Sequence, residues 1–151
     1  MVRRATAEDV EAIAGIFDRA SRAMTYLPVL HTLDEHRAWF GARVADREGW
    51  VWDDGAVHAY MLLSDDELMH LYLDRGHTGR GIGARLLEHA KARRPHGFFL
   101  WTFQPNEGAR RFYERHGLTV AELGDGSGND EGVPDVRYEW RPPAAREWSG
   151  R

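Results

Sequence analysis

The chain predicts a mixed α/β domain in which helices flank a mostly antiparallel, twisted sheet of about seven strands. Three observations carry this. Apolar residues recur at helical spacing in four separate segments. In the middle of the chain three strand-like segments follow one another across short Asp/Ser/Gly turns, as in an antiparallel meander. FFLWTF, residues 98–103, is a continuous apolar run of the kind found in a buried central strand.

The elements follow in order. VRRA, residues 2–5, is a first strand, and Thr6 with Asp9 has the spacing of a capping box. The helix that it opens turns Val10, Ile13, Ile16 and Phe17 to one face. After the turn-prone YLPVLHT, Thr32 and Glu35 repeat the capping spacing, and Trp39, Phe40 and Val44 carry a second helix to about Asp46. The meander strands cover residues 50–52, 56–63 and 67–73, parted by Asp53-Asp54-Gly55 and Ser64-Asp65-Asp66. Ile82, Leu86, Leu87 and Ala90 define a third helix that Pro95 and Gly97 stop. A fourth, over residues 106–116, carries Ala109, Phe112 and Tyr113 and meets a C-terminal cap at Gly117. Strands at residues 118–123 and 136–140 finish the fold, joined by the acidic, glycine-rich GDGSGNDEGVPD.

A length of 151 residues with 42% hydrophobic content suits a single domain, expected over residues 1–141, with residues 142–151 as a tail. The absence of cysteine excludes disulfides, thiolate metal sites and a cysteine nucleophile, and no early segment has the apolar core of a secretion signal, so a cytoplasmic location is expected. No apolar run approaches the roughly 18 residues of a membrane span. A net charge of −4 disfavours nucleic acid and suits a small or cationic ligand. DGSGND resembles a calcium loop, but Asp130 stands where glycine is required and Val136 where glutamate is, so no metal is expected. Nothing in the composition argues against a homodimer.

The segment HTGRGIGARLLEHA, residues 77–90, places Gly79, Gly81 and Gly83 at the mouth of a helix, although each costs roughly 0.5–1 kcal/mol against alanine in regular structure. Strand, glycine turn and helix together present backbone N–H groups and the positive helix end to an anion. A Walker loop is excluded because Gly83 is followed by Ala84-Arg85, and the dinucleotide fingerprint GxGxxG because Leu86 stands at its last glycine.

The element order, the segment from Thr78 to Gly83, and NEGARRFYERHGL with Asn106, Ala109, Phe112, Tyr113 and Gly117 together resemble the GNAT acetyltransferase superfamily over nearly the whole chain. The resemblance implies the GNAT acyl-CoA N-acyltransferase fold and acetyl-CoA as co-substrate. It implies that Thr78, Gly79, Arg80, Gly81, Ile82, Gly83 and Ala84 hold the pyrophosphate, Leu71 and Leu73 offer backbone bonds, and Asn106 and Tyr113 face the cofactor. Thr78 departs from the usual Gln or Arg, a loss that Arg80 or Arg85 can compensate. Tyr113 matches the tyrosine that protonates the departing thiolate, and the N–H of Leu71 the oxyanion donor.

For the base, the resemblance points to Glu67 acting through water. His70 is the rival, since an imidazole near pKa 6.5 suits proton transfer at neutral pH. Strand alternation sets His70 opposite Glu67 unless a bulge intervenes. Tyr26, His31 and Trp39 lie in the segment that lines the acceptor in the family, and Asp130, Glu131 and Asp135 lie on the late loop. The implied reaction is direct transfer to a primary amine of a small molecule or peptide in a ternary complex. A CoA-binding sensor without turnover and a protein N-terminal or lysine acetyltransferase are the alternatives.

Overall fold

The computed structural model describes residues 1–143, so most of the tail expected at residues 142–151 lies outside the described residues. The architecture is mixed α/β: among the described residues there are seven strands, all paired antiparallel within two sheets, and four α-helices. Two compact units are distinguished, one of Met1–Ser64 and Leu68–Ala90, the other of Asp65–Glu67 and the chain from Lys91 on.

In the first unit β1 (Val2–Arg4), β2 (Glu48–Asp53), β3 (Val57–Leu63) and β4 (Leu68–Leu73) form a sheet in the order β1-β2-β3-β4. The predicted capping box at Thr6 exists, but it opens a 3-10 turn, Ala7–Asp9, ahead of α1 (Val10–Ala23). The tighter turn holds the buried Asp9 carboxylate under the Thr6 N–H at 2.8 Å while the Arg3 guanidinium grips both its oxygens at 2.9 Å. The Thr32–Glu35 box at the start of α2 (Leu33–Asp46) is reciprocal, with bonds of 2.9 and 3.2 Å. Ile13 and Ile16 of α1 and Phe40 of α2 meet Val51, Tyr60 and Leu62 of the sheet in one core. In β3 every residue from Ala59 to Leu63 is buried. α3 (Ile82–Arg93) begins in this unit and buries Ile82, Leu86, Leu87 and Ala90, the four residues its periodicity predicts.

In the second unit β5 (Phe98–Phe103), β6 (Thr119–Leu123) and β7 (Asp135–Trp140) form a sheet in the order β5-β7-β6. The expectation that FFLWTF is the buried central strand is corrected. β7 is central, and β5 pairs fully only with it, meeting Glu67 on its other side through a single parallel bridge to Phe99. Phe98 and Leu100 point inward while Trp101 stays 40% exposed, so β5 alternates like a half-buried strand. α4 (Glu107–Arg115) is closed by Gly117 at φ +91, whose conformation lets Leu118 N–H reach the Tyr113 carbonyl at 3.0 Å.

Candidate functional site

The first unit carries an unbroken run from β4 through the glycine turn into α3. Because β4 ends its sheet, one side of its backbone has no partner strand there among the described residues. Antiparallel pairs alternate between hydrogen-bonded and non-bonded positions. The Asp74 N–H to His58 carbonyl bond of 2.8 Å marks one bonded pair, so Tyr72–Tyr60 and His70–Leu62 are bonded likewise. Leu71 and Leu73, opposite Met61 and Ala59, therefore direct their N–H and C=O groups away from β3. These are the two residues from which backbone bonds are expected.

Beyond β4, Gly79 and Gly81 stand at φ +77 and +80. Nothing lies within 4 Å of a Cβ built on either, so the left-handed backbone alone calls for glycine there. The first helical bond of α3 runs from Arg85 N–H to the Gly81 carbonyl at 3.1 Å. The N–H groups of Ile82, Gly83 and Ala84 precede it and have no carbonyl within the helix to reach. These donors and the open backbone before them fit an anionic group. Thr78 and Arg80 are exposed beside them, whereas the Arg85 guanidinium lies over the Trp52 ring at 5.2 Å.

His70 is enclosed by aromatic rings: Phe17 at 5.0 Å, Trp39 nearly parallel at 5.3 Å, and Phe40 edge-on at 5.5 Å. Its Nδ1 lies 2.9 Å from the Tyr60 hydroxyl. Burial, with a smaller contribution from His36, lowers its pKa to about 4, and burial raises the Tyr60 phenol well above its ordinary value. The imidazole is thus neutral at neutral pH, and where Nδ1 accepts the Tyr60 hydroxyl its proton sits on Nε2. A β-bulge is present in β4: Leu62 faces His70 while Leu63 faces Leu68, leaving Met69 as the extra residue.

Of the acceptor-side residues, Trp39 is 38% exposed and stacks on His70. Tyr26 is half-buried, which raises its phenol pKa. His31 is exposed, 3.5 Å from Glu35 and 6.1 Å, ring to ring, from His36. Sequence reasoning missed Tyr60 and His36, whose roles come from cross-strand and interhelical packing. For Tyr60 a signal was present, because a meander with its turn at residues 64–66 sets position 60 beside positions 70–72.

In the second unit Glu67 is half-buried, and its carboxyl pKa is raised by burial and then by Asp66. Tyr113 is buried on α4, its ring 6.0 Å from that of Tyr138. The Asn106 side chain accepts the Ala109 N–H at 3.1 Å, which caps α4. A groove of about 800 Å³ opens between β5, β6 and the loop before β7. Trp101, Phe103 and Leu123 line it together with the carboxylates of Glu122, Asp125, Glu131 and Asp135, and its described lining includes no Lys or Arg. Among the described residues no helix is long and apolar enough to cross a membrane, and no three His, Cys, Asp or Glu are grouped to hold a metal ion.

Comparison with known proteins points one way. The model of the acetyltransferase (GNAT) domain matches residues 36–119. Peptidyl-lysine N-acetyltransferase YiaC of Escherichia coli K12 is 28% identical over 83 residues, which is 54% of this chain and 56% of YiaC, so the match spans only about half of that relative. The solution structure of apo YjaB from Escherichia coli is similar with a TM-score of 0.76 and 23% identity, over 94% of this chain and 97% of YjaB. YncA of Salmonella typhimurium, a putative acetyltransferase solved with acetyl-CoA, gives 0.73 and 22% over 93% and 92%. The ribosomal-protein-alanine N-acetyltransferase of Brucella melitensis gives 0.72 and 19% over 93% and 99%. These structures share the fold, and the family model covers more than half of the sequence. The chain belongs to the GNAT acetyltransferase family, whose members use acetyl-CoA as co-substrate.

Proposed function

We propose that the protein is a cytoplasmic N-acetyltransferase that moves the acetyl group of acetyl-CoA directly to a primary amine of a small molecule or peptide in a ternary complex. Residues 1–141 act as one catalytic domain in this reading. The observation that carries it is the continuous run in the first unit: outward-facing backbone at Leu71 and Leu73, left-handed glycines at 79 and 81, and the bare N-terminus of α3. Residues 78–84 hold the pyrophosphate through backbone N–H groups, with Thr78 offering a hydroxyl where relatives carry a longer side chain. Leu73 bonds the pantetheine arm in the manner of an added strand, and the Leu71 N–H donates to the oxyanion.

Acetyl-CoA supplies the acyl group as an activated thioester. Glu67 accepts the amine proton through water, since its raised pKa makes it a stronger base than an ordinary carboxylate, while His70 with its pKa near 4 is a weak one. Asn106 and Tyr113 face the cofactor, and Tyr113 gives a proton to the departing sulfur. Tyr26, His31 and Trp39 line the acceptor, His70 backing Trp39. A lysine side chain is one such amine, in keeping with the peptidyl-lysine specificity that YiaC is named for.

Thiol release with acetyl-CoA and a panel of amines, repeated on Tyr113→Phe and Glu67→Gln, tests the reading. Loss of a positioned acid lowers kcat about 10²-fold or more. Unchanged turnover in Tyr113→Phe removes the acid assignment, and CoA binding without turnover of any amine supports a sensor instead.

A further inference from the structure

Between Arg75 and Gly81 the chain is exposed at every position but one, His77. Gly76, Gly79 and Gly81 all adopt positive φ with open space where a side chain would be, so nothing in those three residues packs the turn into place. A turn built this way has many conformations to lose on ordering. His77 supplies the anchor. Its ring lies face to face with that of His58 on β3, the centroids 3.9 Å apart and the planes 16° from parallel. The Nδ1 of His77 is buried with no hydrogen-bond partner, so this nitrogen adds nothing to the hold that the stack provides.

The platform under His77 is itself braced. The Asp74 N–H donates to the His58 carbonyl at 2.8 Å, and the Asp74 carbonyl accepts the His77 N–H at 3.2 Å. Its carboxylate takes the two-pronged Arg19 guanidinium of α1 at 2.8 and 2.9 Å and lies 3.5 Å from His58 Nδ1. Arg19, Asp74, His58 and His77 thus connect α1 and β3 to the residue just before Thr78.

We infer that the stacked His58–His77 pair is a positioning device that holds residues 78–84 in the conformation required by a pyrophosphate. His77 is a positioning residue here, not a contact to the ligand. The inference rests on the reading that this turn binds the pyrophosphate of acetyl-CoA. Pre-ordering the turn lowers the conformational cost of binding and leaves the chemical step alone.

The test compares acetyl-CoA with S-acetylpantetheine, which has the thioester but no pyrophosphate, as donors to the full chain. His77→Ala is expected to raise KM for acetyl-CoA between about twofold and tenfold, the range set by an aromatic stack. Its kcat and its KM for S-acetylpantetheine stay at the wild-type values. His77→Phe, which keeps a flat ring, restores the acetyl-CoA KM, and His58→Leu reproduces the loss without adding to it in the double variant. Equal weakening toward both donors, an unchanged acetyl-CoA KM in His77→Ala, or no rescue by His77→Phe overturns the inference. A wild-type protein that uses both donors with the same KM overturns the pyrophosphate reading itself, an outcome that is distinguishable because it appears before any substitution is made.

Discussion

Replacing Gly81 by alanine isolates the conformational demand of the turn. The residue stands at φ +80 and nothing lies within 4 Å of an added Cβ, so the substitution creates no clash. Its cost is that of holding an L-residue in the left-handed region, about 1–2 kcal/mol. Two responses are open to the chain. If the turn keeps its shape, the protein loses that stability, and a domain of this size melts lower by roughly 2–4 °C per kcal/mol. If the turn relaxes, stability is retained, but acetyl-CoA must restore the left-handed conformation on binding and its Kd weakens about 5- to 30-fold. The Gly81 carbonyl accepts the first helical bond of α3, so a relaxed residue 81 also turns the helix mouth away from its present direction. Thermal melting without ligand and titration calorimetry with acetyl-CoA read the two responses separately. Gly55→Ala is the control: φ +111, equally open, in the β2–β3 turn. It should lower the melting temperature and leave the affinity unchanged. Wild-type stability together with wild-type affinity in Gly81→Ala, or an affinity loss in Gly55→Ala as large as in Gly81→Ala, refutes the reasoning.

Three further outcomes are expected. Asp9→Ala removes the carboxylate that joins Arg3 to the Thr6 N–H and should cost about 2 kcal/mol in urea unfolding. Because Arg3 holds the Asp9 pKa below the usual carboxylate range, this stability is full above that range and lost as pH falls through it, so the wild-type and variant unfolding curves converge in acid. His70 stays neutral in the folded state down to a pKa of about 4 while the unfolded ring takes up a proton near 6.5, so stability should fall as pH drops from 6.5 toward 4, by at most about 3 kcal/mol. An NMR titration of the His70 ring with a midpoint between pH 6 and 7 contradicts the lowered pKa. Trp39→Ala, which opens the stack on His70, should raise KM for the amine and leave KM for acetyl-CoA unchanged; the reverse pattern removes Trp39 from the acceptor side.

The local parts of the fold were legible because their causes are local. The Thr32–Glu35 box needs only a hydroxyl and a carboxylate three residues apart, and α2 begins where that spacing predicts. Leu86, Leu87 and Ala90 bury the face that their periodicity selects, and Gly117 caps α4 with the left-handed φ that glycine adopts without penalty. A continuous apolar run is weaker evidence: FFLWTF and AYMLL read alike in a single sequence, yet AYMLL is the stretch that is fully buried, and Trp101 of FFLWTF is exposed.

The sequence by itself determined the family, the order of elements and the place of the glycine turn before its helix, since each rests on residue types at short spacing. Only the tertiary structure decided the surroundings of individual side chains. The rings around His70 come from α1, α2 and β3, the Met69 bulge depends on the register of β4 against β3, and His77 meets His58 across nineteen positions of chain. Desolvation and ring stacking are set by which surfaces the folded chain brings together. The neutral imidazole of His70 and the anchored turn at His77 are therefore properties of the fold and not of any stretch of sequence.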